Sequence, residues 1–143
     1  MQLRAAFLAE RAIAMPDGTF MIWRGGINEF LTTAIPTPIS LTLVLRVEMD
    51  VEEAARLHKF TLKVSFEGRD VLPASTQPLA MKATPGETRL YANILANLGF
   101  PVDREGEGYV QGTIDDDVKV PLVYFRVRRT PDPFFFTPGM PRS

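Results

Sequence analysis

The chain has 143 residues, a formal charge of −1 and 45 % hydrophobic residues, the profile of one ordinary globular domain with a core of its own. With 16 Lys plus Arg against 17 Asp plus Glu it lacks the basic excess of a nucleic-acid binder. Cys is absent and His58 is the single histidine, so disulfides, thiolate metal sites, cysteine nucleophiles and histidine cages are excluded.

The first predicted element is a hairpin. Leu3 to Ala14 and Thr19 to Phe30 are apolar-rich runs on either side of Met15-Pro16-Asp17-Gly18. Pro presets φ and Gly supplies a positive φ, so the four residues make a turn. Gly25-Gly26 interrupts the second run and predicts a bulge or tight bend. Arg4, Glu10 and Arg11 break the apolar stretch at the start, which argues against a signal peptide, and no run is long enough to span a membrane. The expected location is the cytoplasm.

From Pro38 to Asp50 the pattern is strict. Ile39, Leu41, Leu43, Leu45, Val47 and Met49 alternate with Ser40, Thr42, Val44, Arg46, Glu48 and Asp50. Period-two alternation predicts a long strand with the first set on a core and the second in water. Asp50 then reads as an N-cap, with Glu52 and Glu53 in the first turn of a short crossover helix. Phe60, Leu62, Val64 and Phe66 alternate with Thr61, Lys63 and Ser65 in a second strand, followed by a turn over Glu67 to Asp70.

Arg89 to Leu98 is ambiguous. Leu90, Ala92, Ile94, Ala96 and Leu98 fit one face of a strand, and Leu90, Ile94, Leu95 and Leu98 fit one stripe of a helix. Tyr109 to Ile114 and Val118 to Val127 form a last hairpin around Asp115-Asp116-Asp117, with Pro121 at an edge or a bulge. Seven or eight short strands separated by turns predict an all-β antiparallel sandwich or barrel over residues 1–129. From Thr130 to Ser143 the chain is Pro- and Phe-rich and reads as a tail.

The order of motifs resembles a family of small uncharacterised bacterial proteins. The resemblance rests on Ala6-Phe7-Leu8-Ala9-Glu10, Asp17-Gly18, Gly25-Gly26, the strand Leu41 to Asp50, Glu53-Ala54-Ala55 with His58, Asn97-Leu98-Gly99-Phe100-Pro101, Gly108-Tyr109, the acidic turn and Pro121 to Val127. It implies an immunoglobulin-like β-sandwich and favours the strand reading of Arg89 to Leu98. It brings no catalytic residue with it, and the Phe-rich tail departs from its pattern.

Among candidate sites the tail triplet Phe134, Phe135 and Phe136 stands out, because aromatics that can bury 150–250 Å² each are costly to leave in water. It reads as a docking peptide for a partner, a neighbouring subunit or, least of all given the few basic residues nearby, a membrane surface; as a segment folded back on the sandwich; or as a disordered tail. Asp103, Glu105, Glu107 and Asp115 to Asp117 could offer hard oxygen ligands to Ca²⁺, but without a calcium-loop spacing they read as solvated turn residues. His58 reads as structural, since no nucleophile elbow accompanies it. Gly25-Gly26 lacks the rest of a phosphate loop. Trp23 reads as core or sandwich edge. Ser40, Thr42, Thr61 and Ser65 read as a small-residue polar face.

The expected function is a non-enzymatic module that works through protein contacts, with a protein partner or a second copy as its partner and self-association through the tail. The alternative is a small-ligand or carbohydrate-binding sandwich with Trp23, Tyr91 or Tyr109 as a stacking platform. No cofactor, metal, nucleic-acid or membrane partner is expected.

Overall fold

In a computed structural model, described here over residues 1–79, 86–115 and 118–131, the chain folds into two packed β-sheets. The strands are β1 (Gln2–Ala14), β2 (Phe20–Gly25), β3 (Glu29–Thr32), β4 (Thr37–Asp50), β5 (His58–Phe66), β6 (Arg69–Leu79), β7 (Arg89–Val102), β8 (Gly106–Ile114) and β9 (Val118–Arg129). One sheet has the order β2-β1-β4-β7, the other β3-β9-β8-β5-β6. The all-β sandwich is therefore present, with nine strands among the described residues in place of seven or eight.

The alternation read from the sequence fixes the core. Ile39, Leu41, Leu43, Leu45, Val47 and Met49 are all buried, and so are Phe60, Leu62, Val64 and Phe66 from the facing sheet. Phe125 on β9 sits at an aromatic junction, with its ring centroid 6.1, 6.0 and 5.7 Å from those of Phe30, Phe66 and Phe100. Gly108 lies beneath it: a Cβ there would stand 2.5 Å from the Phe125 ring and 2.5 Å from the Ser65 carbonyl.

Residues 89–98 belong to β7, which pairs with β4 along its whole length, from Asp50↔Arg89 to Thr37↔Val102. Fourteen paired residues override the modest helix preference of Ala and Leu. The crossover helix α1 (Val51–Ala54) is a single turn, and the Asp50 carboxylate accepts the Glu53 N–H at 2.7 Å as its cap. Pro121 falls at a bulge, where the β8–β9 register slips between Val110↔Val123 and Gly112↔Val120.

Thr19 to Phe30 is two strands, because the chain leaves the first sheet at Gly25-Gly26, with Arg24 at φ +50° and Gly26 at φ +82°. The second piece, β3, then runs parallel to β9 in the other sheet, with Phe30 opposite Val127, so the sandwich is not wholly antiparallel. The turn is confined to Glu67 and Gly68, both at positive φ as a two-residue hairpin requires, and Arg69 and Asp70 already belong to β6. No strand is predicted from the sequence after that turn; β6 carries Pro73 and Pro78, which an edge strand tolerates.

The outer face of β4 is also not in water. β1 pairs with β4 only as far as Ala9↔Thr42. Beyond that point β1 and β2 form an arm that folds over the outside of its own sheet. Ala12 and Phe20 on the arm pack with Val44 and Leu95, and the Asn93 amide donates to the Gly18 carbonyl at 2.6 Å. Val44 is consequently fully buried, although it belongs to the set expected to face solvent.

Candidate functional site

His58 opens β5 and is buried. Its Nδ1 lies 2.5 Å from Asp115 Oδ2 and its Nε2 lies 2.5 Å from the Glu53 carbonyl. Both partners are acceptors, so the ring donates twice and is held as imidazolium. The hydrogen bond to Asp115 raises the His58 pKa against the opposing effect of burial, and the same bond holds the Asp115 carboxyl below its ordinary range. Both ring nitrogens are engaged, and the pair ties the crossover helix to the β8–β9 turn.

The other acidic candidates are dispersed onto separate partners. Asp103 pairs with Arg104, Glu107 with Arg126 at 2.7 Å, and Glu105 accepts the Arg129 N–H at 2.5 Å. Asp115 is no free turn carboxylate, since its second oxygen accepts the Lys59 N–H at 2.8 Å. Asp116 and Asp117 lie outside the described residues. Among the described residues no three of His, Asp and Glu come together as a metal site.

The small polar face is divided between the sheets, and two of its members are covered. Thr42 is buried and donates to Asn97 at 2.9 Å, and Ser65 is buried on the other sheet. A further buried polar group, Glu48, went unread: its carboxylate takes Arg4 on one side and Arg89 at 2.6 Å on the other. Those two hydrogen bonds hold its pKa below the usual carboxylate range.

The exposed apolar surface is concentrated on the arm. Arg11 is opposite Trp23 and Ile13 is opposite Met21 on the β1–β2 ladder, so these four side chains share the arm's outward face. Ile13, Met21 and Trp23 are 37, 48 and 41 % exposed, and the Arg11 guanidinium stacks over the Trp23 ring at 5.5 Å. Trp23 is thus on an edge strand and not in the core. Met15, in the β1–β2 turn, is exposed as well.

The sequence profile of a family of unknown function, DUF6941, matches residues 4–127. The chain belongs to that family. No curated protein matches it in sequence.

In this DUF6941 domain the three proposed stacking aromatics do not converge. Tyr91 is on the outside of the β7 sheet with the Arg46 guanidinium 4.5 Å from its ring centre, whereas Tyr109 is on the outside of the opposite sheet, 6.3 Å from Tyr124. Beside Tyr124 is a shallow cleft of about 430 Å³ with Asn28, Glu29, Glu107 and Arg126 at its walls. Phe134, Phe135 and Phe136 lie outside the described residues. Among the described residues no helix is long and apolar enough to cross a membrane. The turn between two apolar runs placed the arm's residues on strands, but the exposure of Ile13, Met21 and Trp23 depends on the path of the arm, for which the sequence carries no signal.

Proposed function

We propose that this DUF6941 protein is a non-enzymatic cytoplasmic module that acts through protein contacts, and that the outward face of the β1–β2 arm is its contact surface. The observation that carries this reading is that Arg11, Ile13, Met21 and Trp23 stand together on one exposed face of the arm, whereas Leu57, Tyr91 and Tyr124 are exposed in separate parts of the fold. Trp, Met and Arg are the residue types enriched at the centres of interfaces, and Trp and Arg dominate their energetics. The segment 130–143, with Phe134, Phe135 and Phe136, supplies a second docking element through which copies of the chain associate.

The test is affinity capture from host lysate with three baits: the full chain, the Trp23→Ser/Met21→Ser chain, and a truncation after Arg129. A stoichiometric partner that the full chain holds and the arm variant loses, with the variant's melting unchanged, supports the reading. Equal capture by all three baits refutes both docking elements.

The cleft beside Tyr124 favours a second reading, a small-ligand or carbohydrate site in which Tyr109 and Tyr124 stack on a sugar and Glu107 and Arg126 bond its hydroxyls. A thermal-shift screen of sugars, nucleotides and Ca²⁺ that moves the melting point of the full chain but not of a Tyr124→Ala variant would support it.

A further inference from the structure

We propose that the chain forms a two-fold dimer by antiparallel pairing of β7 with β7 of a second copy, centred on Leu95. This deepens the reading of a contact module but uses a surface separate from the outward face of the arm.

An edge strand left open is a template for another strand, and proteins protect their edges with short length, charge, proline or bulges. Three edges here are protected. β2 has six residues and carries Arg24, β3 has four and carries Glu29, and β6 carries Arg69, Asp70, Pro73 and Pro78. β7 differs. It is 14 residues long, it pairs on one side only among the described residues, and from Leu90 to Val102 it contains no charged side chain. Its one proline, Pro101, is near the end.

Gly99 is the second observation, and it selects the register. Glycine inside a strand costs about 0.5–1 kcal/mol relative to alanine and usually marks a bulge or the close approach of another group. Gly99 stands in continuous register opposite Ser40, its φ is not in the left-handed region, and a Cβ built on it would meet nothing within 4 Å. Among the described residues nothing calls for glycine there. A two-fold axis normal to the sheet keeps outer residues opposite outer residues. With the axis at Leu95, Tyr91 of each copy lies directly opposite Gly99 of the other. The Tyr91 ring is 51 % exposed on that face, and the bare backbone at Gly99, next to exposed Ser40, gives it a place to lie. Aromatic packing over a cross-strand glycine is a known way to recover the glycine's lost side-chain contacts.

The remaining pairs match. Asn93 is opposite Asn97, and on the inner face Leu90 is opposite Phe100, Ala92 opposite Leu98 and Ile94 opposite Ala96, apolar to apolar throughout. Ile94 and Ala96 are only partly buried in the single chain, so the second copy extends the core over them. A ladder from Leu90 to Phe100 supplies about ten main-chain hydrogen bonds, the number in a typical protein interface.

The absence of cysteine makes the test clean. Directly opposed residues have Cα atoms about 4.5 or 5.5 Å apart, within disulfide range. An equimolar mixture of Asn93→Cys and Asn97→Cys chains is expected to cross-link under mild oxidation. Each variant alone is expected not to, because like positions are then four residues out of register, about 13 Å. In sedimentation equilibrium from micromolar to hundreds of micromolar protein, the full chain is expected to dimerise. Gly99→Val, which suits a strand and fits the single chain, is expected to raise the dissociation constant about tenfold while leaving the melting of the monomer unchanged or higher. A monomer at every concentration overturns the proposal, and so does a dimer that Gly99→Val leaves intact. The Trp23→Ser/Met21→Ser chain and the truncation after Arg129 are both expected to dimerise like the full chain, so the β7 pairing, the arm and the tail fail separately.

Discussion

Replacing Asp115 by Asn tests the account of His58 with little disturbance of the backbone. Asp115 has φ +55°, a conformation that Asn tolerates well, so the turn survives the change. What is lost is the negative partner of a buried imidazolium. A hydrogen bond to a charged group contributes about 1.5–3 kcal/mol, and Asp115 is 39 % exposed, so solvent screening places the loss near the lower bound, about 1.5 kcal/mol. That is about 5 °C in Tm for a chain of this size. The pH dependence is the sharper signature. The folded pKa of His58 is raised above the ordinary 6.5, so its contribution is complete below that value and is lost as pH rises through the folded pKa. The folded pKa of Asp115 is lowered below the ordinary 3.8, so its contribution is complete above that value and is lost as pH falls through the folded pKa. The pair therefore stabilises most between about pH 4 and 6.5. Urea titrations of the native chain and Asp115→Asn across pH 5 to 9 should converge as pH rises beyond 6.5, with a slope difference of at most about 1.4 kcal/mol per pH unit. Parallel curves at all pH values, or native stability that rises through this window because of His58, would refute the charged-imidazole assignment.

Other substitutions follow from the packing. Leu43→Ala empties a site that is 1 % exposed and should cost about 3 kcal/mol in denaturant unfolding. Val44→Ser, harmless on a wet strand face, should cost about 2 kcal/mol because the arm seals that face; an unchanged melting curve would show that the arm does not close over β4. Gly68→Ala, at φ +75° in the β5–β6 turn, should cost about 1 kcal/mol, measured the same way, although nothing within 4 Å obstructs the new Cβ.

The two long central strands were legible because each has one face wholly in the core, which leaves period two undiluted from Ile39 to Met49 and from Phe60 to Phe66. Capping at Asp50 and the break at Gly25-Gly26 were legible because both are local chemistry. Partnership was not. Nothing near Glu29 indicates that the next strand is β9, and nothing near Val44 indicates that Phe20 will cover it. Alternation assigns a residue to a face, but it does not say what lies above that face. β6 was missed because an edge strand can keep the prolines and polar residues that a central strand excludes. At the candidate site, His58 and Asp115 are 57 positions apart and meet only through the β5–β8 pairing, and the exposure of Trp23 depends on the path of the arm.

The aromatic junction at Phe125 has a consequence for the growing polypeptide. Phe30, Phe66 and Phe100 are all synthesised before the residue that joins them, and β3 has no strand to lie against until β9 exists. Until then β8 is an open edge above an uncovered core. A ribosome stalled before β9 would therefore carry a chain with most of its strands made and its interior unsealed, a species for chaperones to hold. The last dozen residues of the sandwich complete its second sheet, and substitutions there are expected to lower yield in the cell more than equal losses of stability elsewhere.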